Sequence, residues 1–361
     1  MFHKIKQVWI NFRIWYHRHK KVFWISTCVA LLVLISVGIT TFVLLNNKPP
    51  KPAVVKKIEK PKPAVKYYSP LTGNQVKSSA ETTLPVTGVM IENSPNARPQ
   101  SGLKNSGVVF EAIAEGGITR FMVLYQQEKP KLIGPVRSLR LYDVDWLAAF
   151  NSGIAHVGGS AAALAEIRNG KYRDLDQFFN PGSFWRVSDR WAPHNVYTDY
   201  SHLNALNKSK GYTKSVFTGF SRVDGKPVKK PLATQINIVI SSDLYNNTYA
   251  YTPKTNTYAR SQGGEPHTDR ESGQITPSVV VAMRVDEKTV LEDGYRQSIK
   301  TIGKGNAVIF QNGTVTKAIW HKASKTAQIK FTDAKGKEIP LVRGQTWITA
   351  VPNDGGSVSW K

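Results

Sequence analysis

The chain has 361 residues, a formal charge of +24 and one cysteine, Cys28. A lone cysteine excludes an internal disulfide framework and a four-thiolate zinc site, so any folded part must be held by its own core. The charge suits an anionic surrounding such as teichoic acid or lipid phosphates.

Residues 1–21 carry Lys4, Lys6, Arg13, Arg18, Lys20 and Lys21 and no acid, which marks a cytoplasmic basic tail. Residues 22–45, VFWISTCVALLVLISVGITTFVLL, are uncharged and mostly apolar. As a helix they reach about 36 Å, enough for a hydrocarbon layer of roughly 30 Å. The run is too long for a signal-peptide core, and no small-residue cleavage motif follows it. The expectation is a transmembrane signal anchor with a single span, an N terminus in the cytoplasm and the main body outside the cell membrane. Cys28 lies near the start of the apolar run, whereas a lipoprotein cysteine would follow it, so lipidation is not expected. The exported part then has no thiol for catalysis. Residues 46–66 hold five prolines, seven lysines and one glutamate. This composition gives a solvated linker near polyproline II, spanning roughly 60 Å. A sharper reading of its lysines is contact with anionic head groups or acidic wall polymers. Tail and linker each contribute +6, leaving +12 on the body. That charge would also fit nucleic acid, but an exported, tethered domain seldom meets it, so none is expected as a partner.

The fold class expected is α+β: the N-terminal span, a mixed α/β domain over 67–230 and a β-rich meander domain over 231–361. In the first, 86–92, 108–114, 120–127 and 153–157 read as strands. Leu139–Phe150, Ala161–Asn169 and Ser201–Lys210 read as helices. Beyond Pro231, TQINIVIS, TYAYTP, SVVVAMRV, NAVIFQNG, VTKAIW, TAQIKFTD and GQTWITAV follow at short spacing. Asn312–Gly313 between two alternating runs is a strong hairpin signal.

Polar residues concentrate between Glu92 and Asn195. If Gly116–Gly117 forms a two-residue loop, Arg120 falls opposite Ile113 and diagonal to Glu111 on the same face. That would make a Glu111–Arg120 ion pair; a longer loop would send them to opposite faces. Arg98, Arg120, Arg137 and Arg140 recur beside these strands. Guanidinium groups bind phosphate bidentately, so they are candidates for a pyrophosphate or a polyanionic sugar. The other reading is that they neutralise Glu92, Glu111, Glu115, Asp143 and Asp145. His156-Val-Gly-Gly-Ser160 joins a strand to a helix, where glycines allow a close backbone approach; Ser160 is expected to cap the helix and not to act as a nucleophile. Asp189, Arg190, His194 and Asn195 lie in a loop with Phe184, Trp185 and Trp191. Such a loop suits a sugar ring or simple packing, and His194 could transfer a proton. His267-Thr268-Asp269 is a third polar cluster. No histidine has metal-ligand spacing, so neither metal nor cofactor is expected.

The motif Gly88-Val-Met-Ile-Glu-Asn-Ser-Pro-Asn-Ala-Arg-Pro-Gln-Ser-Gly102 resembles the YerB-like family. So do Glu111-Ala-Ile-Ala-Glu-Gly-Gly-Ile-Thr-Arg120, Ile133-Gly-Pro-Val-Arg-Ser138, Pro193-His-Asn195, Ala307-Val-Ile-Phe-Gln-Asn-Gly313 and Gly344-Gln-Thr-Trp-Ile348. The resemblance covers roughly residues 68–352. It implies an envelope protein of the Gram-positive type, often lipidated, with no reaction or catalytic residue to carry over. Besides a structural scaffold with no small ligand, two readings of function stand. One is a module that binds anionic wall polymer, peptidoglycan or a wall-remodelling protein. The other is an enzyme acting on a phosphate-linked or glycan substrate at the outer membrane face, by analogy of layout with the LytR-CpsA-Psr transferases.

Overall fold

The computed structural model describes residues 2–47, 65–290 and 296–361. The linker expectation for 46–66 falls largely on residues 48–64, outside the described ones. The chain divides into two units, 1–64 and 65–361. The first unit holds helix α1 (Phe2–Arg18) and helix α2 (Lys20–Asn46), which are separated at His19, whose backbone leaves helical geometry. The apolar run forms most of α2, a 27-residue helix long and apolar enough to cross a membrane.

The body, 65–361, is a mixed α+β fold dominated by sheet. Of the strands in the two main sheets, five come from the first half: β1 (Thr87–Glu92), β2 (Val108–Glu115), β3 (Ile118–Tyr125), β4 (Gly153–His156) and β5 (Arg173–Asp176). Four build most of a smaller sheet: β6 (Gln235–Val239), β7 (Asn247–Thr252), β8 (Thr257–Gln262) and β9 (Glu265–Pro266). The remainder are β10 (Val279–Val285), β11 (Gly303–Gln311), β12 (Thr314–Lys322), β13 (Lys330–Thr332), β14 (Thr346–Pro352) and β15 (Ser357–Trp360). Ten of these form one sheet, ordered β13-β12-β11-β10-β14-β2-β3-β1-β4-β5; the smaller sheet runs β9-β8-β7-β6-β15.

The two segments expected as separate domains therefore share a sheet. The joint is the parallel pair β14–β2, with Trp347 beside Val109 and Thr349 beside Glu111. Both strands are buried throughout or nearly so and rich in apolar residues, as parallel strands covered on both faces must be. A meander does occur in β10–β13, but β14 returns parallel to β10 and carries the sheet into the first half.

One face of the large sheet packs Phe110, Met122, Val281 and Ile348 against α3 (Leu141–Leu147) and α4 (Ala161–Asn169). On the opposite face Val109, Phe121 and Trp347 meet Leu203 and Leu206 of α5 (Tyr200–Ser209), while Val280 and Phe310 meet the smaller sheet. The α4 bounds are those expected, and the Ser160 hydroxyl accepts from the Ala163 N–H as its cap. The expected 139–150 helix is shorter, starting after Arg140 and closing in a 3-10 turn over Ala148–Phe150. Asn312 and Gly313 both take positive φ (58° and 76°) in a two-residue β11–β12 hairpin.

Candidate functional site

The Gly116–Gly117 loop has two residues, the shorter of the two lengths the sequence left open, with φ of 56° and 76°. Yet Arg120 lies opposite Ala112, not Ile113, because a bulge between Ile113 and Glu115 inserts one extra residue. An extra residue in a period-2 strand sends the following side chains to the other face. Glu111 and Arg120 therefore diverge, and the expected ion pair does not form.

Glu111 instead enters a buried network between the two sheets. Its oxygens lie 3.0 and 2.9 Å from Nη2 of Arg260, and both side chains are fully buried. Asn247 Nδ2 (3.1 Å) and Trp347 Nε1 (3.0 Å) also donate to Glu111. The Arg260 guanidinium lies 4.5 Å from the Trp347 ring centroid and contacts Asn247 and His267. His267 Nε2 continues to Gln100 (2.9 Å), and Gln100 to Asn93 (2.9 Å). Burial, with Arg260 nearby, pushes the His267 imidazole well below its ordinary range. Every charged group here is matched, and the cluster is closed to solvent.

The four candidate arginines take three separate roles. Arg120 (3.0 Å) and Arg140 (2.6 Å) share Glu115, and Arg120 also donates to the Ser138 carbonyl. Arg98 donates to the Asn93 and Leu244 carbonyls and lies 5.2 Å over the Tyr245 ring. Arg137 approaches Glu92 at 3.4 Å. Glu92 in turn holds His194 Nδ1 at 3.0 Å and accepts from Ser94 Oγ at 2.9 Å. Ser94 and Glu92 both address Nδ1, so the group lacks the order of a hydrolase triad, where the hydroxyl meets the other ring nitrogen.

Asn195 holds the same loop, accepting from Arg186 at 2.6 Å and donating to the Arg190 carbonyl. Arg190 binds the Ala97 and Pro99 carbonyls, and exposed Asp189 pairs with Arg270. His156 is buried away from this loop, between the Gly158 carbonyl (2.8 Å) and Asp174 (3.0 Å). The candidates 92, 98, 111, 137, 190, 194 and 195 thus lie in adjoining networks, whereas 120, 140 and 156 do not. Among the described residues no three His, Cys, Asp or Glu side chains come together as a metal-binding group.

An open groove lies elsewhere in the body. It has a volume of about 670 Å³ and forms where the two ends of the large sheet approach each other. Ile154 and Arg173 line it from β4 and β5, and His321 and Lys330 from β12 and β13. Lys171 joins the basic rim, Tyr172 and Phe217 supply aromatic surface, and no described carboxylate lines it. Arg173 donates to the Asn151 carbonyl at 2.9 Å, and burial holds its guanidinium below the ordinary value. Sequence reasoning missed these residues because four distant segments supply them; the only local trace is the Lys171-Tyr-Arg173 tripeptide.

Lys322 shapes one wall of the groove. It is fully buried, and Nζ donates to the Lys325 and Ala327 carbonyls, both at 2.7 Å. Burial pushes its amine down to about 8. An unfolded lysine near 10.4 binds more protons than this one between those values, so stability contributed here rises with pH over that window. The expected gain is at most about 3 kcal/mol. Denaturant unfolding at pH 7.5, 9 and 10.5 checks it: the rise must be larger in the parent than in Lys322→Met, and parallel curves would refute it.

The body thus defines a sheet-dominated α+β module whose arginines are mostly satisfied internally and whose open groove is basic. The chain belongs to the family described as "Protein of unknown function (DUF3048)": the N-terminal domain matches residues 71–213 and the C-terminal domain residues 236–348. It is similar to "Putative lipoprotein YerB" of Bacillus subtilis (strain 168), with 32% identity over 343 residues, covering 93% of this chain and 98% of that protein. It is also similar to the crystal structure of the Bacillus subtilis YerB protein, with a TM-score of 0.72 and 30% identity over 81% of this chain and 99% of that one.

Proposed function

We propose that the chain is a membrane-tethered, extracytoplasmic envelope module whose body binds an anionic, sugar- or polyol-phosphate-like ligand in the groove between the ends of the large sheet. One observation carries this reading: Lys171, Arg173, His321 and Lys330 face one groove together with Tyr172 and Phe217, and no described carboxylate lines it. Arg120, Arg140 and Arg260 elsewhere in the body are each matched by a carboxylate, whereas the groove's cations face none among the described lining residues, so this is where an external anion gains most. The volume is that of a site for a small ligand, and aromatic faces beside cations suit a phosphorylated sugar. The relative's name points to a lipid anchor, but here Cys28 sits inside α2 with apolar residues following it, which favours anchoring by the helix.

The test is thermal unfolding of the body, 65–361, with polyglycerol phosphate, pyrophosphate, prenyl pyrophosphate analogues and muropeptides. At a ligand concentration of 100 Kd the expected stabilisation is about 2.7 kcal/mol. The double variant Lys171→Glu/Lys330→Glu, at two exposed positions, should keep the ligand-free melting temperature and lose the shift. Absence of any shift in the parent would sink the reading. A second reading, catalysis, is favoured by His194: Glu92 orients its Nδ1, and its Nε2 makes no hydrogen bond among the described residues. Product release from the same ligands, abolished by His194→Gln, would establish it; no turnover would leave binding alone.

A further inference from the structure

The groove leaves one large surface unexplained, and it is in the other unit. Helix α1 has the sequence FHKIKQVWINFRIWYHR. At 100° per residue, Ile5, Val8, Trp9, Phe12, Trp15 and Tyr16 fall within one arc of about 120°. The opposite arc carries His3, Lys6, Gln7, Asn11, Arg13, His17 and Arg18, interrupted by Ile10 and Ile14. Val8 and Trp9 are 67% and 68% exposed.

The apolar face is ordered, not ragged. Phe12 lies 6.5 Å from Trp9, 6.1 Å from Trp15 and 6.1 Å from Phe23 of α2. Tyr16 lies 5.1 Å from Phe23 and accepts from Trp24 Nε1 at 3.2 Å. This aromatic seam joins α1 to the first turn of α2 across the break at His19. It sits where tryptophan and tyrosine concentrate, at the boundary between hydrocarbon and head groups.

Length excludes the alternative that α1 extends the span. Helix α2 alone reaches about 40 Å, already more than the roughly 30 Å hydrocarbon layer. The basic residues could not follow it inward without a large cost. A helix with one aromatic and aliphatic face, a basic opposite face and no acid matches the chemistry of an interfacial segment on an anionic surface. Lys4, Lys6, Arg13, Arg18, Lys20 and Lys21 stand together there, each worth about 1 kcal/mol near anionic lipid.

We infer that α1 is an interfacial helix that binds anionic phospholipid in the leaflet where α2 begins. It buries Trp9, Phe12 and Trp15 at the acyl boundary and sets its lysines and arginines among lipid phosphates. The inference rests on α2 crossing the bilayer, and it is separate from the groove.

The test is amide hydrogen exchange of the full chain in vesicles of phosphatidylcholine, alone or with 30% phosphatidylglycerol. Exchange over 2–18 should be about tenfold slower with the anionic lipid, and 0.5 M salt should remove most of that difference. Lys4→Gln/Lys6→Gln/Arg13→Gln/Arg18→Gln should lose the lipid-charge dependence. Trp9→Ser/Phe12→Ser/Trp15→Ser should lose protection in both vesicles. Residues 22–44 are the internal reference: fast exchange there would refute the span itself, while a protected α2 with a freely exchanging α1 refutes the inference alone. Protection that follows protein density and not lipid charge would assign the face to a second copy, and would also overturn it.

Discussion

Replacing Arg260 by methionine is expected to lower the unfolding free energy of the body by about 3–5 kcal/mol. The loss comes from Glu111. Its carboxylate is fully buried, and Arg260 is the one cation within ion-pair distance among the described residues. Asn247, Trp347, Thr119 and Thr349 would remain around it, but neutral donors do not replace a counter-charge in a closed site. The effect should also reach beyond one pair. Glu111 stands on β2, Trp347 on β14 and Arg260 on β8, so the network ties the smaller sheet to the joint between the halves. Urea unfolding checks this. Glu111→Gln should cost a comparable amount, and Glu111→Gln/Arg260→Met should cost clearly less than the two together, because neither partner is then stranded. A loss below 1 kcal/mol for the arginine variant, or strict additivity, would show that the pair carries no coupling.

The second large effect is expected at Glu115. This carboxylate bonds Arg120 and Arg140, whose side chains are only 4% and 7% exposed. Burial pushes the Glu115 carboxyl up, but Arg120 and Arg140 together hold it below its ordinary value. Its contribution is therefore present above the unfolded value near 4.3 and is lost as pH falls through the lower folded one. Glu115→Ala strands two guanidinium groups and should cost about 3–5 kcal/mol. It should also create an anion site that the parent lacks there. Phosphate at tens of millimolar should recover part of the loss in Glu115→Ala, and the parent should gain less. Equal responses would mean that Arg120 and Arg140 are already open to solutes, and the assignment of these arginines to internal pairing would fail.

The sequence by itself determined what is encoded within a few consecutive residues. The apolar run at 22–45 specified α2, since no shorter-range preference competes with 24 uncharged residues in a row. The serine at 160 and the periodicity after it set α4, and Asn312–Gly313 set its hairpin, because both residues tolerate the positive φ that the turn demands. The six YerB-like motifs sufficed to place the chain in its family.

Tertiary structure alone decided where the charges went. One extra residue between Ile113 and Glu115 turned Arg120 away from Glu111, and nothing in a Gly-Gly loop announces a bulge three residues upstream. The carboxylate then found its guanidinium on a strand of the other half, 149 positions away. The parallel pairing of β14 with β2 and the groove between the sheet's ends are likewise contacts between distant segments. Periodicity and turn chemistry fix which face a side chain shares with its neighbours in the chain. They carry no information on which remote strand will meet that face, because that choice is made by packing the assembled sheet and satisfying its buried charges.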